Sequence, residues 1–253
     1  MKPIITILLL FIGSLVFSQI TLLQEYPFHD KEEVHYNAIY KWGLLEINAG
    51  KVTFRVDSIN ENGTDYYKFK STGVSLPKYD WIYKIRDTFQ SKVEVVNFQP
   101  IYYERRTLEG DYQVYNRSFF NDDLIEMYLE NNKTGKSYTS LPLEKDIFDL
   151  QTAVYYARLL DLKNAKLGDT FQFNIIIDGK PYHIPITYEG QEIVELSKNK
   201  KYSCHKISTS VIEGTIFKKG QIINVWVSDD GRQYPIRVEA PIIVGKVKAE
   251  IIE

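Results

Sequence analysis

Apolar and polar side chains alternate with period two through most of this chain. Val52, Phe54 and Val56 alternate with Lys51, Thr53, Arg55 and Asp57. Tyr182, Ile184, Ile186 and Tyr188 alternate with His183, Pro185, Thr187 and Glu189, and Tyr234, Ile236, Val238 and Ala240 with Gln233, Pro235, Arg237 and Glu239. The last segment sets Ile243, Val247, Ala249 and Ile251 against Val244, Lys246, Lys248 and Glu250. Successive residues of a strand point to opposite faces, so each run predicts a strand with one apolar and one polar face, as antiparallel sheets have. Turn signals separate the runs at Asn60 to Gly63, Asn121 to Asp123, Asn131 to Gly135, Asp178-Gly179 and Asp229 to Gly231. Asp178-Gly179 and Asp230-Gly231 suit the positive φ angles of a tight hairpin. About a dozen strands follow from this template.

One segment changes period. Leu150, Ala153, Val154 and Ala157 recur at helical spacing within Asp149 to Leu160, and Asp149 is a suitable N-cap. A shorter helical turn is predicted within Pro77 to Tyr83, with Pro77 at the first helical position. The stretch Pro142 to Phe148 is the candidate seam between two halves. The expected architecture is mainly β: a large curled antiparallel sheet or half-barrel wrapped around one α-helix that covers one opening. The charged second faces fit poorly with a sandwich of two fully buried layers.

The first nineteen residues read differently. Lys2 precedes an apolar run from Ile4 to Phe17 broken only by Thr6, Gly13 and Ser14, and Val16 and Ser18 occupy the −3 and −1 positions of a small-residue cleavage site. This is the layout of a secretory signal peptide over residues 1–19, short for a membrane span of about 20 residues. No cysteine lies near the cleavage site, so a lipoprotein is not expected. The expectation is a periplasmic or otherwise exported single domain over residues 20–253, not membrane-spanning once the leader is removed. The net charge of −2 becomes one unit more negative without Lys2, and no Lys/Arg stripe is present, which argues against nucleic acid as a partner. Cys204 is the sole cysteine, so no internal disulfide forms. Its neighbour His205 points to the opposite strand face, which precludes a nucleophile–base pair and makes Cys204 a buried structural thiol.

Catalytic and cofactor motifs are missing: there is no GxSxG, HExxH, Walker loop or paired-cysteine pattern, and His29, His35, His183 and His205 are scattered. Neither a metal nor another cofactor is implied. Asp122-Asp123 and Asp229-Asp230 read as turn residues capping their own backbone. Arg86 reads either as a charge on the solvated sheet face or as a reader of an anionic group. The chain is 14% aromatic with 19 Tyr. Aromatics favour strands and cores, but a wide curled sheet that its own side chains do not fill would leave an apolar, Tyr-edged pocket beside the helix. Trp42, Trp81, Arg86, Tyr155 and Trp226 are the candidate ligand-binding residues on that reading.

Several stretches together resemble the exported bacterial family of unknown function DUF3108. They are Glu33-Val34-His35-Tyr36 with Trp42-Gly43 and Ala49-Gly50; Tyr83 to Asp87; Pro100 to Arg106; Asp149 with Ala153 to Arg158; Val225 to Asp230; Pro235-Ile236-Arg237; and Val244-Gly245. The aromatic-rich stretch Tyr112 to Phe120 has no counterpart in that pattern. The resemblance covers about residues 32 to 252 and implies an envelope location and a β-rich build, with no catalytic residues to assign. The expected function is a non-catalytic exported protein that binds or carries an apolar or amphipathic envelope molecule, such as a lipid or acylated protein. The alternatives are a structural partner in an envelope complex, or a hydrolase of envelope glycans or lipids that depends on Asp87 or Asp230. An outer-membrane barrel is disfavoured by the mid-chain helix and by the ending Ile251-Ile252-Glu253, since such barrels typically finish on an aromatic.

Overall fold

The computed structural model describes residues 19–196, 200–210, 221–242 and 245–252. Strands β1 (Glu33–Trp42), β2 (Leu45–Glu61), β3 (Thr64–Ser75), β4 (Ile85–Glu94), β5 (Pro100–Glu109), β6 (Tyr112–Phe120), β7 (Leu124–Asn131) and β8 (Gly135–Pro142) form an antiparallel meander. After a crossing through residues 143–146, β9 (Ile147–Asp149) opens the second half. β10 (Thr170–Ile177), β11 (Lys180–Glu195), β12 (Lys201–Ser210), β13 (Ile222–Ser228), β14 (Pro235–Pro241) and β15 (Lys246–Ile252) then lead back to β1. The strand order is β8-β7-β6-β5-β4-β3-β2-β1-β15-β14-β13-β12-β11-β10-β9, one curled, unclosed sheet of fifteen strands among the described residues. Residues 143–146 thus carry the chain from one sheet edge to the other. The halves meet as β1 pairs antiparallel with β15, Tyr36 opposite Ile251 and Ala38 opposite Ala249.

Local chemistry explains the turns. Asn62-Gly63 (φ 53° and 85°) and Asp178-Gly179 (φ 48° and 77°) both take left-handed pairs and close tight hairpins. Asp230-Gly231 does not. Only Gly231 of that pair has positive φ, with Gln233 taking a second such position, and the β13–β14 connection widens to residues 229–234. Asp230 accepts hydrogen bonds from Ser228 Oγ at 2.7 Å and Arg232 N at 3.1 Å, a capping role that replaces the expected tight turn.

Helix α1 (Leu150–Tyr156) continues as a 3-10 turn over Ala157–Leu159. Its N-cap is Asp149, whose carboxylate accepts from Thr152 N at 2.8 Å. Pro77 opens a 3-10 turn at Pro77–Tyr79. α1 packs against β3, β4, β9 and β10, in the half of the concavity bounded by the β2–β3 and β4–β5 turns. Val56, Phe69 and Val93 are fully buried there beneath Tyr155, Leu160 and Phe28. A strap over residues 19–32 seals this end: Ile20 is buried, Gln19 bridges Thr170, and Leu22 bridges Leu160. No helix among the described residues is long and apolar enough to cross a membrane.

Candidate functional site

The space beside the helix is filled. Tyr155, 2% exposed, stacks on Phe69 with ring centroids 3.9 Å apart, meets Phe28 and Phe54 edge-on, and donates its hydroxyl to Arg55 O at 3.2 Å. Burial pushes its phenol well above the usual range. Trp226 is 9% exposed and gives its indole N–H to Glu192 Oε2 at 2.7 Å. Arg86 holds Asp80 with Nη2 2.5 Å from Oδ2 and also donates to Ser75 Oγ at 2.9 Å, so its guanidinium fastens the 3-10 turn to β4. That pairing with Arg86, backed by the Ser75 hydroxyl, lowers the Asp80 pKa. Trp42 and Trp81 are 60% and 83% exposed. The structure does not gather these five residues around one cavity; Trp42, Trp81 and Arg86 share an end of the sheet, while Tyr155 and Trp226 lie elsewhere. Cys204 is buried with Val194, Leu196 and Trp226, apart from the partners of His205.

What the fold does assemble is an apolar row across six strands. In register, Ile207 of β12 lies beside Val225 of β13, Val225 beside Val238 of β14, Val238 beside Ala249 of β15, Ala249 beside Ala38 of β1, and Ala38 beside Gly50 of β2. Ile207 belongs to the core and Val225 packs on it, so the row faces the concavity. A second row runs from Ala240 through Val247 and Tyr40 to Ile47. Val225, Val238, Ala249, Ala38, Tyr40 and Ile47 are half-buried, on strands other than the β3, β4, β9 and β10 against which the helix mainly packs. Small side chains here leave the concave surface low, where Leu or Phe would fill it.

The neighbouring part of the same face is polar. Gly73 of β3 lies opposite Asp87 of β4, and Asp87 opposite Thr107 of β5. Asp87 accepts from Leu108 N at 3.2 Å; burial, then the nearby Glu109, push its pKa up to about 7. Arg105 Nη1 and Asn116 Nδ2 reach Asp178 Oδ1 at 3.0 and 2.8 Å, tying the β10–β11 turn across the curl to β5 and β6.

A separate half-open groove of about 580 Å³ lies between the strap (Thr21 to Gln24), residues 161–164 and the β13–β14 loop. His205, 2% exposed, backs it. Its Nε2 is 3.1 Å from Asp229 Oδ1 and its Nδ1 2.9 Å from the Tyr188 hydroxyl. A carboxylate accepts, so Nε2 carries the proton, and in the neutral ring Nδ1 accepts from Tyr188. Asp229 therefore orients a histidine and is no turn cap, unlike Asp230. Ser228 lines the groove, but its hydroxyl donates to Asp230 and accepts from Tyr234 N at 3.0 Å, so no nucleophile is presented to His205. Sequence reasoning missed both assemblies. The partners are far apart in the chain, and alternation gives a residue's face but not its neighbour across the ladder.

The profile of the family described as protein of unknown function (DUF3108) matches residues 33–252. No curated protein matches the sequence. Among solved structures, a beta-barrel-like protein of the domain of unknown function DUF1849 from Brucella abortus is similar, with TM-score 0.54 and 8% identity, covering 87% of this chain and 95% of that one. A hypothetical protein from Chlamydia trachomatis aligns with TM-score 0.34 and 7% identity over 88% of this chain and 86% of its own. The first likeness concerns the fold alone.

Proposed function

The chain belongs to the DUF3108 family, and on that premise we propose that it is an exported, non-catalytic module that binds or carries an apolar or amphipathic envelope molecule. The observation that carries this reading is the half-buried row Val225–Val238–Ala249–Ala38 on the concave face. A sheet that curls this far and then keeps valine and alanine at its centre leaves room for an apolar chain. The polar wall of Asp87 and Thr107 beside it suits a ligand with a polar end. Export by removal of the leader is compatible with the use the domain makes of the residues that follow it: Gln19 bridges Thr170, and Ile20 is buried and donates its N–H to Thr170 O at 3.2 Å. A hydrolase has weaker support, because Asp230 is spent on its own turn and His205 has no nucleophile within reach.

Native mass spectrometry of the chain expressed with its leader and recovered from the envelope tests this. Wild type should carry an apolar adduct, and Ala38→Phe with Ala249→Phe should lose it while keeping a wild-type circular dichroism spectrum. Consistently empty wild-type protein that also fails to bind a polarity-sensitive apolar dye would defeat the proposal.

A further inference from the structure

The strand registers put two apolar projections on the end of the sheet opposite the helix. The β2–β3 ladder stops at Gly50 opposite Ser75, but β1 and β2 stay paired for five more residues of β2, out to Trp42 opposite Leu45. At about 3.4 Å per residue the hairpin overhangs β3 by roughly 17 Å, while on its other side β15 stays paired with β1 as far as Lys41 opposite Lys246. Gly43 (φ 56°) turns its tip, and Leu44 there is fully exposed. Beside it, the β3–β4 connection presents Trp81, Ile82 and Tyr83, all exposed. In β1, Trp42 alternates onto the same face as Tyr36 and Ala38, so the hairpin continues the concave apolar face outward.

Such large apolar side chains at the points of two projections are costly in water and mark a contact surface. We propose that this end docks on a phospholipid bilayer, with Trp42, Leu44, Trp81 and Ile82 entering the interfacial zone. Two observations favour lipid over a protein partner. The chemistry is that of membrane-interface residues: amphipathic Trp and Tyr flanked by Lys78 and Lys84, whose long stems let the ammonium groups meet phosphates. The carboxylates within these segments are already neutralised, Asp80 by Arg86 at 2.5 Å and Glu46 by Lys41 and Lys248 at 3.4 and 3.3 Å. This inference deepens the carrier reading, because docking would set the mouth of the apolar row against the lipid from which a ligand is drawn.

The three tryptophans make the test direct, since Trp42 and Trp81 are exposed while Trp226 is buried. The full exported chain is mixed with vesicles of phosphatidylcholine containing a minority of phosphatidylglycerol, and with vesicles carrying brominated acyl chains. Variants retaining only Trp42 or only Trp81 should shift their emission to the blue and be quenched by bromine; a variant retaining only Trp226 should do neither. Leu44→Ser with Ile82→Ser should lower vesicle partitioning at least about tenfold, while dye binding to the concave row in the absence of vesicles is unchanged. No vesicle binding, or binding that survives the Leu44/Ile82 change, overturns docking. Vesicle binding by a protein that takes up no dye would uphold docking and defeat only the carrier reading.

Discussion

Glu32 and Arg158 form the ion pair whose removal should be felt most. Both are almost fully buried, 4% and 6% exposed, with Nη1 2.5 Å from Oε1 and Nη2 3.1 Å from Oε2. Tyr234 donates to Glu32 Oε2 at 3.1 Å, and Arg158 Nη2 also reaches the carbonyls of Arg232 at 2.8 Å and Pro27 at 3.2 Å. The rings of Tyr234 and Phe28 lie 4.9 and 5.3 Å from the guanidinium. One pair thus fastens the strap, the end of the helix and the β13–β14 loop. Arg158→Met leaves a buried carboxylate with only the Tyr234 hydroxyl, which should cost about 3–5 kcal/mol. Glu32→Leu should cost less, about 2–3 kcal/mol, because the guanidinium keeps two carbonyls and two rings. The double variant removes both charges and restores apolar volume, so it should recover to within about 2 kcal/mol of wild type. Urea unfolding of all four proteins at neutral pH gives the cycle. A double variant as unstable as the sum of the singles would refute the claim that each charge is tolerated only because of the other.

Asp149 is fully buried, and burial pushes its pKa up to about 6 against the hydrogen bonds from Ser91 and Thr152 that lower it. The folded state therefore keeps a proton that the unfolded chain sheds, and stability falls as pH rises between about 4 and 6, by about 3 kcal/mol in all. Asp149→Asn keeps the cap and should flatten that slope in unfolding titrations; equal slopes for both proteins would rule out Asp149 as the source. Tyr155→Ala should cost about 3–5 kcal/mol by emptying the stack on Phe69, read as a lower urea midpoint; a loss under about 1 kcal/mol would mean the stack is not tightly packed. At Gly245 (φ 84°) an added Cβ would lie 2.3 Å from Lys41 O, so Gly245→Ala should loosen the β1–β15 seam, seen as faster amide exchange at Ala38 and Ala249 than at Phe69. Unchanged exchange there would show that the β14–β15 turn adapts without moving β1.

Much of this fold is legible because a one-layer curled sheet writes its inside and outside directly as alternation. Val52, Phe54 and Val56, the Asp149 cap and the Asp178-Gly179 turn all follow from spacing and local chemistry. Depth along the barrel axis is not written that way. Phe69 and Trp42 are both aromatic residues of the concave side, yet one is sealed beneath Tyr155 of the helix and the other stands at an exposed turn. The difference comes from where each hairpin stops and from which end the helix fills. Asp229 and Asp230 show the same limit on a smaller scale: both suit a turn, and only the position of His205 on the adjoining strand separates them.

The apolar row carries this limit into function. Ala38 and Gly50 come from the first two strands, whereas Ala249, Val238 and Val225 come from the last three. Neither half of the chain contains the row; it exists only where β1 meets β15. Small residues at such a seam are unlike the bulky β-branched pairs that would stabilise it most. At Gly50 the reason is close packing, since an added Cβ would lie 2.5 Å from Val74 O; at Ala38 and Ala249 the short side chains keep the concave surface low, so the surface that would hold a ligand is also the last long-range pairing the chain must complete.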